Sequence, residues 1–156
     1  MSYRMAVVDD HVLLREGLVD VLAAEPDFEI VAVGGSADDA CRIAQSGRLD
    51  LIFLDVNMPG TGVLAAARIR SVLPDLPMIF LSFRQDLDVV KCCLAEGAQG
   101  YVVKGVSGPE LVGIARKVLA GERHLDPKLV HAQSAGAPAS LQTLGDLVGS
   151  EAWAAE

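Results

Sequence analysis

Five polar side chains stand directly after short apolar runs of this sequence: Asp9, Asp10, Asp55, Ser82 and Lys104. Three carboxylates gathered at one place repel one another, and a hard divalent cation such as Mg²⁺ relieves that repulsion while it keeps several waters. Beside such a cation a carboxylate can act as a nucleophile towards phosphorus, because the metal neutralises charge on both reacting groups. Lys104 and Ser82 would then bind the phosphoryl oxygens. These residue types therefore predict phosphoryl chemistry at a Mg²⁺ site.

The apolar runs predict the strands that would gather these residues. They are rich in β-branched residues, and several are apolar throughout, as in a parallel sheet that is covered on both faces. They cover residues 5–8, 28–33, 51–54, 78–81 and 101–103. In an open parallel sheet, ligands bind beyond the carboxyl ends of the strands. The residues that follow these strands are therefore the candidates for a site.

Helices are predicted between the strands. The clearest follows Ser107 and Glu110, which have capping-box spacing, and has Pro109 in its first turn. Helical spacing of apolar residues predicts the others over 14–22, 37–45, 62–72 and 86–95. Five strand and helix pairs fill residues 4–121, which predicts an α/β fold of the (βα)5 type, a doubly wound parallel sheet.

Simpler structural roles exist for each polar residue taken alone. Asp9 and Asp10 could cap a helix, Asp55 could belong to a turn, and Lys104 could be a solvated charge. Singly, these interpretations are favoured. Together, five residues of complementary chemistry at the same end of four strands favour a functional site.

Composition narrows the class of protein further. The 156 residues are 51% hydrophobic and carry a formal net charge of -8. The apolar content predicts a packed core, and the acidic balance gives no general attraction for nucleic-acid phosphates. Three cysteines without a CxxC pattern indicate neither a disulfide framework nor a zinc site. No run resembles a signal peptide or could span a bilayer, so we predict a cytoplasmic protein that binds neither membranes nor nucleic acid directly.

A change of composition marks the end of the predicted domain. Residues 1–127 form the domain, and residues 128–156 are predicted to be a linker or tail. The tail contains the stretch SAGAPAS and no Lys or Arg after Lys128. A helix-turn-helix needs a recognition helix and basic phosphate contacts. The tail therefore lacks a complete DNA-binding domain.

The motifs together resemble a response-regulator receiver domain, most like those of LuxR/NarL-type two-component regulators. They are VVDDHVLLREGL at 7–18, DLIFLDVNMPG at 50–60, MIFLS at 78–82, and LAEGAQGYVVKGVSGPELVGIARKVLAGERHLDP at 94–127. The resemblance implies a flavodoxin/CheY-like fold with strand order 2-1-3-4-5. It also implies a phosphorelay in which a sensor histidine kinase donates the phosphoryl group.

The resemblance assigns the site residue by residue. It makes Asp55 the phosphoacceptor, and it implies that Mg²⁺ is held by Asp9, Asp10, Asp55 and the backbone carbonyl of Asn57. Such a domain is not an enzyme in the usual sense, since it shows at most slow self-catalysed phosphorylation and dephosphorylation.

The resemblance also implies how the signal leaves the site. Ser82 takes the position of the switch hydroxyl, Tyr101 that of the switch aromatic, and Lys104 that of the family's lysine. Phosphorylation would switch a partner-binding surface, and a homodimer is possible.

Several departures from the family pattern bear on the site. The sequence MPGTGVLAAARIR after the acceptor is one residue shorter than usual. Phe83 replaces the usual small residue after Ser82 and could narrow access to Asp55. Gly105 replaces a frequent Asp after the lysine. A phosphorylation-independent interaction module is therefore one alternative function.

Three further functions fit part of the same residue set. The chain could be the N-terminal receiver fragment of a longer LuxR-type DNA-binding transcriptional regulator. A dehalogenase-type phosphatase is disfavoured, because Asn57 stands where its general acid and base would be. A flavodoxin-like cofactor site is also disfavoured, because Asp9 and Asp10 would repel the phosphate of the cofactor.

Overall fold

A computed structural model describes residues 2–83 and 87–125. The strands are β1 (Tyr3–Val8), β2 (Phe28–Gly34), β3 (Leu51–Asp55), β4 (Met78–Ser82), β5 (Gly100–Val103) and β6 (His124–Leu125). The helices are α1 (Val12–Ala23), α2 (Ala37–Ser46), α3 (Gly62–Val72), α4 (Leu87–Ala95) and α5 (Gly108–Leu119). The predicted tail over 128–156 lies outside the described residues.

All neighbouring strands of the sheet are parallel, in the order β2-β1-β3-β4-β5-β6. The predicted α/β fold and the strand order 2-1-3-4-5 are confirmed. Because the strands are parallel, their carboxyl ends share one edge of the sheet, called the carboxyl edge below, and their amino ends share the opposite, amino edge.

Each face of the sheet buries its own core, which explains why the strands are apolar throughout. Met5, Val7 and Phe53 belong to a cluster that includes buried residues of α1 and α5. Ala6 and Leu54, at alternate positions of the same strands, belong to a second cluster with residues of α2, α3 and α4. Side chains alternate between the faces of a strand, so a sheet covered by helices on both sides needs apolar residues at every position.

The last helix begins as the sequence predicts. The Ser107 side chain accepts a hydrogen bond from the Glu110 backbone N–H, and the Glu110 side chain accepts one from the Ser107 N–H. This reciprocal cap satisfies two amides that a helix leaves unpaired. It sets the start of α5 soon after Lys104.

A sixth strand was not predicted. β6 has only two residues and pairs with β5 through Gly100 with His124 and Tyr101 with Leu125. Two residues are too few to show a strand period, so sequence patterning could not reveal it. Within the described residues, no helix has both the length and the apolar character needed to cross a bilayer.

Candidate functional site at the carboxyl edge

Backbone hydrogen bonds of the sheet place the predicted residues at its carboxyl edge. Asp55 ends β3 and Ser82 ends β4, while Asp9 directly follows β1. The Asp9 N–H donates to the Gly34 carbonyl at 2.9 Å, and the Lys104 N–H donates to the Ser82 carbonyl at 2.7 Å. Asp9 and Lys104 are thus held as continuations of the parallel ladders.

Lys104 joins two buried carboxylates. Its Nζ lies 3.0 Å from Asp9 Oδ2 and 3.2 Å from Asp55 Oδ1. The side chains of Lys104, Asp9 and Asp55 are 3%, 0% and 1% exposed. One buried cation therefore faces two buried anions. Burial of the unbalanced negative charge costs free energy unless a further positive group is present.

The neighbours of the two buried carboxylates drive their pKa values apart. Burial, followed by the charge of Asp9, raises the pKa of Asp55 to about 6. Burial opposes ionisation of Asp9 too, but hydrogen bonds from the His11 backbone N–H and from Lys104 outweigh it, and the pKa of Asp9 is lowered. The negative charge of Asp9 is therefore the better compensated of the two, and the negative charge of Asp55 is not fully balanced by its neighbours.

His11 belongs to this cluster, although sequence reasoning did not name it. Its Nδ1 lies 2.9 Å from Asp9 Oδ1, 3.2 Å from Asp10 Oδ1 and 3.5 Å from Asp55 Oδ2. Its position directly after Asp9 and Asp10 was the one available signal. The same residue is the N-cap of α1, so the two aspartates do not occupy the helix-capping position that was their simpler interpretation.

Of the other predicted site residues, Asn57 contacts the cluster, and Ser82 and Tyr101 are buried. The backbone N–H of Asn57 donates to Asp55 Oδ1 at 3.2 Å. Ser82 is fully buried at the end of β4, and Tyr101 is fully buried in the core on the side of α2, α3 and α4. The structure thus gathers Asp9, Asp10, Asp55 and Lys104 in one cluster, and it places Tyr101 in the core.

The loop after Asp55 has unusual backbone geometry. Gly60 and Thr61 have φ values of 83° and 64°, in the left-handed region that a β-branched residue rarely adopts. The next residue, Gly62, packs against the backbone of Asp55, because a Cβ there would lie 2.2 Å from the Asp55 carbonyl oxygen. The Thr61 side chain then caps α3 by accepting from the Leu64 N–H. Gly62 therefore keeps this loop close to the end of β3.

Phe83 stands beside the cluster, as its position after Ser82 suggests. Its ring is 4.9 Å from Lys104 Nζ and meets the His11 ring edge to face, with centroids 5.9 Å apart. The residue is nevertheless 62% exposed. An exposed aromatic ring that contacts a buried lysine lies on the solvent side of the site.

The cluster has the chemistry of a divalent cation site. Asp9, Asp10, His11 and Asp55 each offer a ligand atom, and these atoms all lie within 4.8 Å of one another. Within the described part of the chain, Asp55 Oδ2 is buried and makes no hydrogen bond. A buried carboxylate oxygen without a donor requires an explanation, and a role in binding an ion is one of the usual ones. The residues present therefore suit Mg²⁺.

Comparison with known proteins decides the family. The family model described as the response regulator receiver domain matches residues 5–116. The chain belongs to the response regulator receiver domain family. Proteins of this family act in two-component signal transduction, and they are generally not enzymes in the usual sense.

Curated relatives of this receiver are longer regulators. It is 38% identical over 125 residues to the DNA-binding transcriptional activator DevR/DosR of Mycobacterium tuberculosis, covering 79% of this chain and 57% of that protein. It is 34% identical over 129 residues to the transcriptional regulatory protein DegU of Brevibacillus brevis, covering 82% of this chain and 55% of that protein. The receiver thus spans little more than half the length of these relatives.

Solved structures show the same fold. A LuxR-family two-component response regulator from Aurantimonas sp. superposes with a TM-score of 0.79 at 28% identity, covering 84% of this chain and 94% of that one. The signal receiver domain of the putative response regulator NarL from Mycobacterium tuberculosis gives 0.74 at 28% identity, covering 78% and 98%. The resemblance to LuxR/NarL-type receivers that the sequence motifs indicated is therefore confirmed.

Proposed function

We propose that this receiver accepts a phosphoryl group on Asp55 in a Mg²⁺-dependent reaction, with a sensor histidine kinase as the donor. The observation that carries the proposal is the state of Asp55. Its side chain is 1% exposed, and among the described residues its Oδ2 makes no hydrogen bond. A purely structural ion pair would satisfy both oxygens of a carboxylate this deeply buried. An oxygen kept free at a strand end is available to a metal and to phosphorus.

The metal ligands would be Asp9, Asp10, Asp55 and the backbone carbonyl of Asn57. When bound, Mg²⁺ supplies the positive charge that lets one anion approach another. In the transfer, an oxygen of Asp55 would form a bond to phosphorus while the bond from phosphorus to the donor breaks, and the donor group would leave with the electron pair of that bond. The buried position of Asp9 and Asp55 limits water at the new acyl phosphate, which is consistent with at most slow self-catalysed turnover.

Lys104 and Ser82 would bind the transferred group. Lys104 Nζ is already 3.2 Å from Asp55 Oδ1, so a phosphoryl group on this carboxylate would arrive within reach of a buried ammonium. Hydrogen bonds between ionised groups are the strong ones, and the phosphoryl oxygens carry more charge than the carboxylate they replace. Ser82, whose backbone is tied to Lys104, would add a directed hydrogen bond from its hydroxyl.

The readout would be a shift between two conformations. Ser82 moves towards the phosphoryl group, Tyr101 changes rotamer, and the surface formed by α4, β5 and α5 is remodelled for a partner or a second copy. Tyr101 is fully buried here, so its movement would change the packing beneath that surface.

The relatives and the thiols support a proposal for the cellular setting. DevR/DosR is described as DNA-binding, and by analogy this receiver would be the phosphorylated part of a longer regulator, with no nucleic-acid contact of its own. Cys41, Cys92 and Cys93 are free thiols, which suits the reducing cytoplasm.

A second candidate function rests on Phe83. Its ring lies over Lys104 and against His11, on the side from which a donor would approach. If the ring closes the site, the domain would act as a phosphorylation-independent interaction module. In that case Phe83→Ala would gain labelling that the natural chain lacks.

The test is intact mass after incubation with Mg²⁺ and acetyl phosphate, with and without a chelator. We expect one phosphoryl adduct on the natural chain, none with chelator, and none on Asp55→Asn. The matched control is Asp75→Asn, an exposed aspartate in the loop that precedes β4, which should be labelled normally.

Two results would count against the proposal. An adduct that survives Asp55→Asn would mean that another residue is the acceptor. No adduct on the natural chain, either from acetyl phosphate or from a histidine kinase, together with labelling of Phe83→Ala, would favour the interaction module.

A further inference from the structure

One imidazole nitrogen faces all three carboxylates of the site. His11 Nδ1 is 2.9 Å from an Asp9 oxygen, 3.2 Å from an Asp10 oxygen and 3.5 Å from an Asp55 oxygen. The four groups come from the loop after β1 and from the end of β3, so the sheet itself holds them together. Helix capping does not explain this placement, because the His11 side chain makes no capping hydrogen bond.

These separations match those between ligands of one metal ion. Two ligand atoms at about 2.1 Å from an ion are about 3.0 Å apart at an octahedral angle and roughly 3.4 Å apart at a tetrahedral one. The three distances from His11 Nδ1 span about this range. The imidazole therefore lies where a fourth ligand would lie, at the distance from each carboxylate that separates adjacent ligands of one ion.

Lys104 and His11 divide the carboxylate oxygens between them. Lys104 approaches Asp9 Oδ2 and Asp55 Oδ1, whereas His11 approaches Asp9 Oδ1 and Asp55 Oδ2. The ammonium and the imidazole thus contact different oxygens of the same two carboxylates, with Nζ and Nδ1 3.3 Å apart. An ion could bind the oxygens that His11 contacts while Lys104 keeps its own contacts.

Hydrogen bonds alone do not satisfy the nitrogen and its neighbours. With a proton, Nδ1 can donate to one carboxylate but then faces the Lys104 ammonium, whose Nζ is 3.3 Å away. With a lone pair, it can accept from Lys104 but then faces three carboxylates. In either form Asp55 Oδ2 keeps no hydrogen bond among the described residues. A cation between Nδ1 and the carboxylates would satisfy all four groups at once.

Two contacts hold the imidazole in this position. The His11 backbone N–H donates to Asp9 Oδ1 at 2.8 Å, and the Phe83 ring meets the imidazole at an interplanar angle of 89°. The side chain is 48% exposed, which leaves an entry path for a hydrated ion. A ligand that is oriented before binding loses less freedom when the ion arrives.

We propose that His11 is a fourth ligand that this site offers to first-row transition ions such as Zn²⁺ and Co²⁺, and that Mg²⁺ binds without it. The inference rests on the cation site of the proposed function. Imidazole nitrogen suits Zn²⁺ and Co²⁺, whereas Mg²⁺ takes oxygen ligands and keeps its waters. The same three carboxylates would thus serve either class of ion, and His11 would set the preference.

Calorimetric titration of the full chain with Zn²⁺ and, separately, with Mg²⁺ tests the proposal. His11→Gln should lower the affinity for Zn²⁺ by about tenfold or more and change that for Mg²⁺ by less than about threefold. His124→Gln is the matched control, because His124 lies at the opposite end of the sheet, in β6. Both titrations are repeated with Cys92→Ser as background, since the exposed Cys92 thiol could bind Zn²⁺ independently.

A spectrum reports the ligand itself. The visible absorption of bound Co²⁺ depends on its ligand set, so replacing the imidazole should change the spectrum of the His11→Gln complex and not that of the His124→Gln complex. Circular dichroism shows whether each variant is folded.

Three results would overturn the proposal: a Zn²⁺ affinity of His11→Gln within about threefold of the natural chain, equal losses for Zn²⁺ and Mg²⁺, or an unchanged Co²⁺ spectrum. Failure of the proposed function looks different. In that case Mg²⁺-dependent labelling of Asp55 is absent while the His11-dependent Zn²⁺ affinity remains.

Discussion

At each edge of the sheet, aspartates pair with a cationic side chain, but the two clusters differ in their exposure to solvent. At the amino edge, Arg116 binds Asp27 and Glu25 at 2.6 and 2.7 Å, and these side chains are 42%, 38% and 33% exposed. At the carboxyl edge, Lys104 lies between Asp9 and Asp55, and all three side chains are buried. One cluster is solvated and the other is not.

The pKa values of the aspartates show what this difference means. Hydrogen bonding to Arg116 lowers the pKa of Asp27, whereas burial and the charge of Asp9 raise the pKa of Asp55 to about 6. In the amino-edge cluster the charges are paired at the surface, and the pairs link α5 to the segment before β2. The carboxyl-edge cluster has too little positive charge of its own, which is the property expected of a site that binds a cation and an anionic group.

Removal of Lys104 should give the largest effect on stability. Lys104→Met keeps most of the apolar stem but leaves two buried carboxylates without their cation. In the presence of a chelator at pH 7, we expect the free energy of unfolding to fall by about 3 kcal/mol, as when one partner of a buried pair is removed. Urea denaturation measures the loss.

The matched control is Lys117→Met, which removes an exposed lysine of α5 and should change the free energy of unfolding by less than about 0.5 kcal/mol. Equal, small effects of the two substitutions would mean that Lys104 does not hold the carboxylates as the structure indicates.

Asp55→Asn should stabilise the domain while it abolishes labelling. The substitution keeps the size of the side chain and removes a buried charge that is not fully compensated. Without metal at pH 7, we expect the free energy of unfolding to rise by roughly 1–2 kcal/mol. Thermal and urea unfolding of both proteins check this, and a clear loss of stability would contradict the account of the carboxyl edge.

Acid should bring the natural chain towards the stability of Asp55→Asn. The pKa of Asp55 is raised from 3.8 to about 6, so between these values the native state binds more protons than the unfolded state. The free energy of unfolding contributed by this group therefore increases as the pH falls from about 6 towards about 4. Subtracting the pH profile of Asp55→Asn isolates the effect, and a difference that does not change with pH would refute it.

The amino-edge cluster should give the smallest effect. Arg116→Gln breaks exposed pairs with Asp27 and Glu25 and a stacking contact over the Phe28 ring. Such exposed interactions contribute little to stability, and salt screens them. We expect a small loss that shrinks in high salt, and no change in Asp55 labelling. A loss as large as that of Lys104→Met would remove the contrast between the two edges.

Particular residues show how far the sequence could predict this molecule. The apolar runs and the Ser107 capping box are local signals, so β1 to β5 and α5 are predicted correctly. The strand order, which the family resemblance of the motifs implies, is also confirmed. Asp9, Asp55 and Lys104 were placed together because the ends of parallel strands share an edge. β6 was missed because two residues show no period.

The place of His11 could not be read from local patterns either. Its contacts with three carboxylates and with Phe83 depend on how the chain turns after β1 and on where β4 ends. Thr61 is a similar case, since its positive φ, rare at a β-branched residue, occurs next to the packing of Gly62 on Asp55. Both features arise from tertiary structure.

The most direct test of the contrast between the edges is an NMR titration of the aspartate side-chain carboxyl carbons, with and without Mg²⁺. Without metal, Asp55 should titrate with a pKa near the value of about 6 given by its burial, and Mg²⁺ should lower that pKa. Asp27 should titrate below its ordinary range in both conditions. An ordinary pKa for Asp55 that Mg²⁺ does not change would contradict the proposal that the carboxyl edge receives a cation and a phosphoryl group.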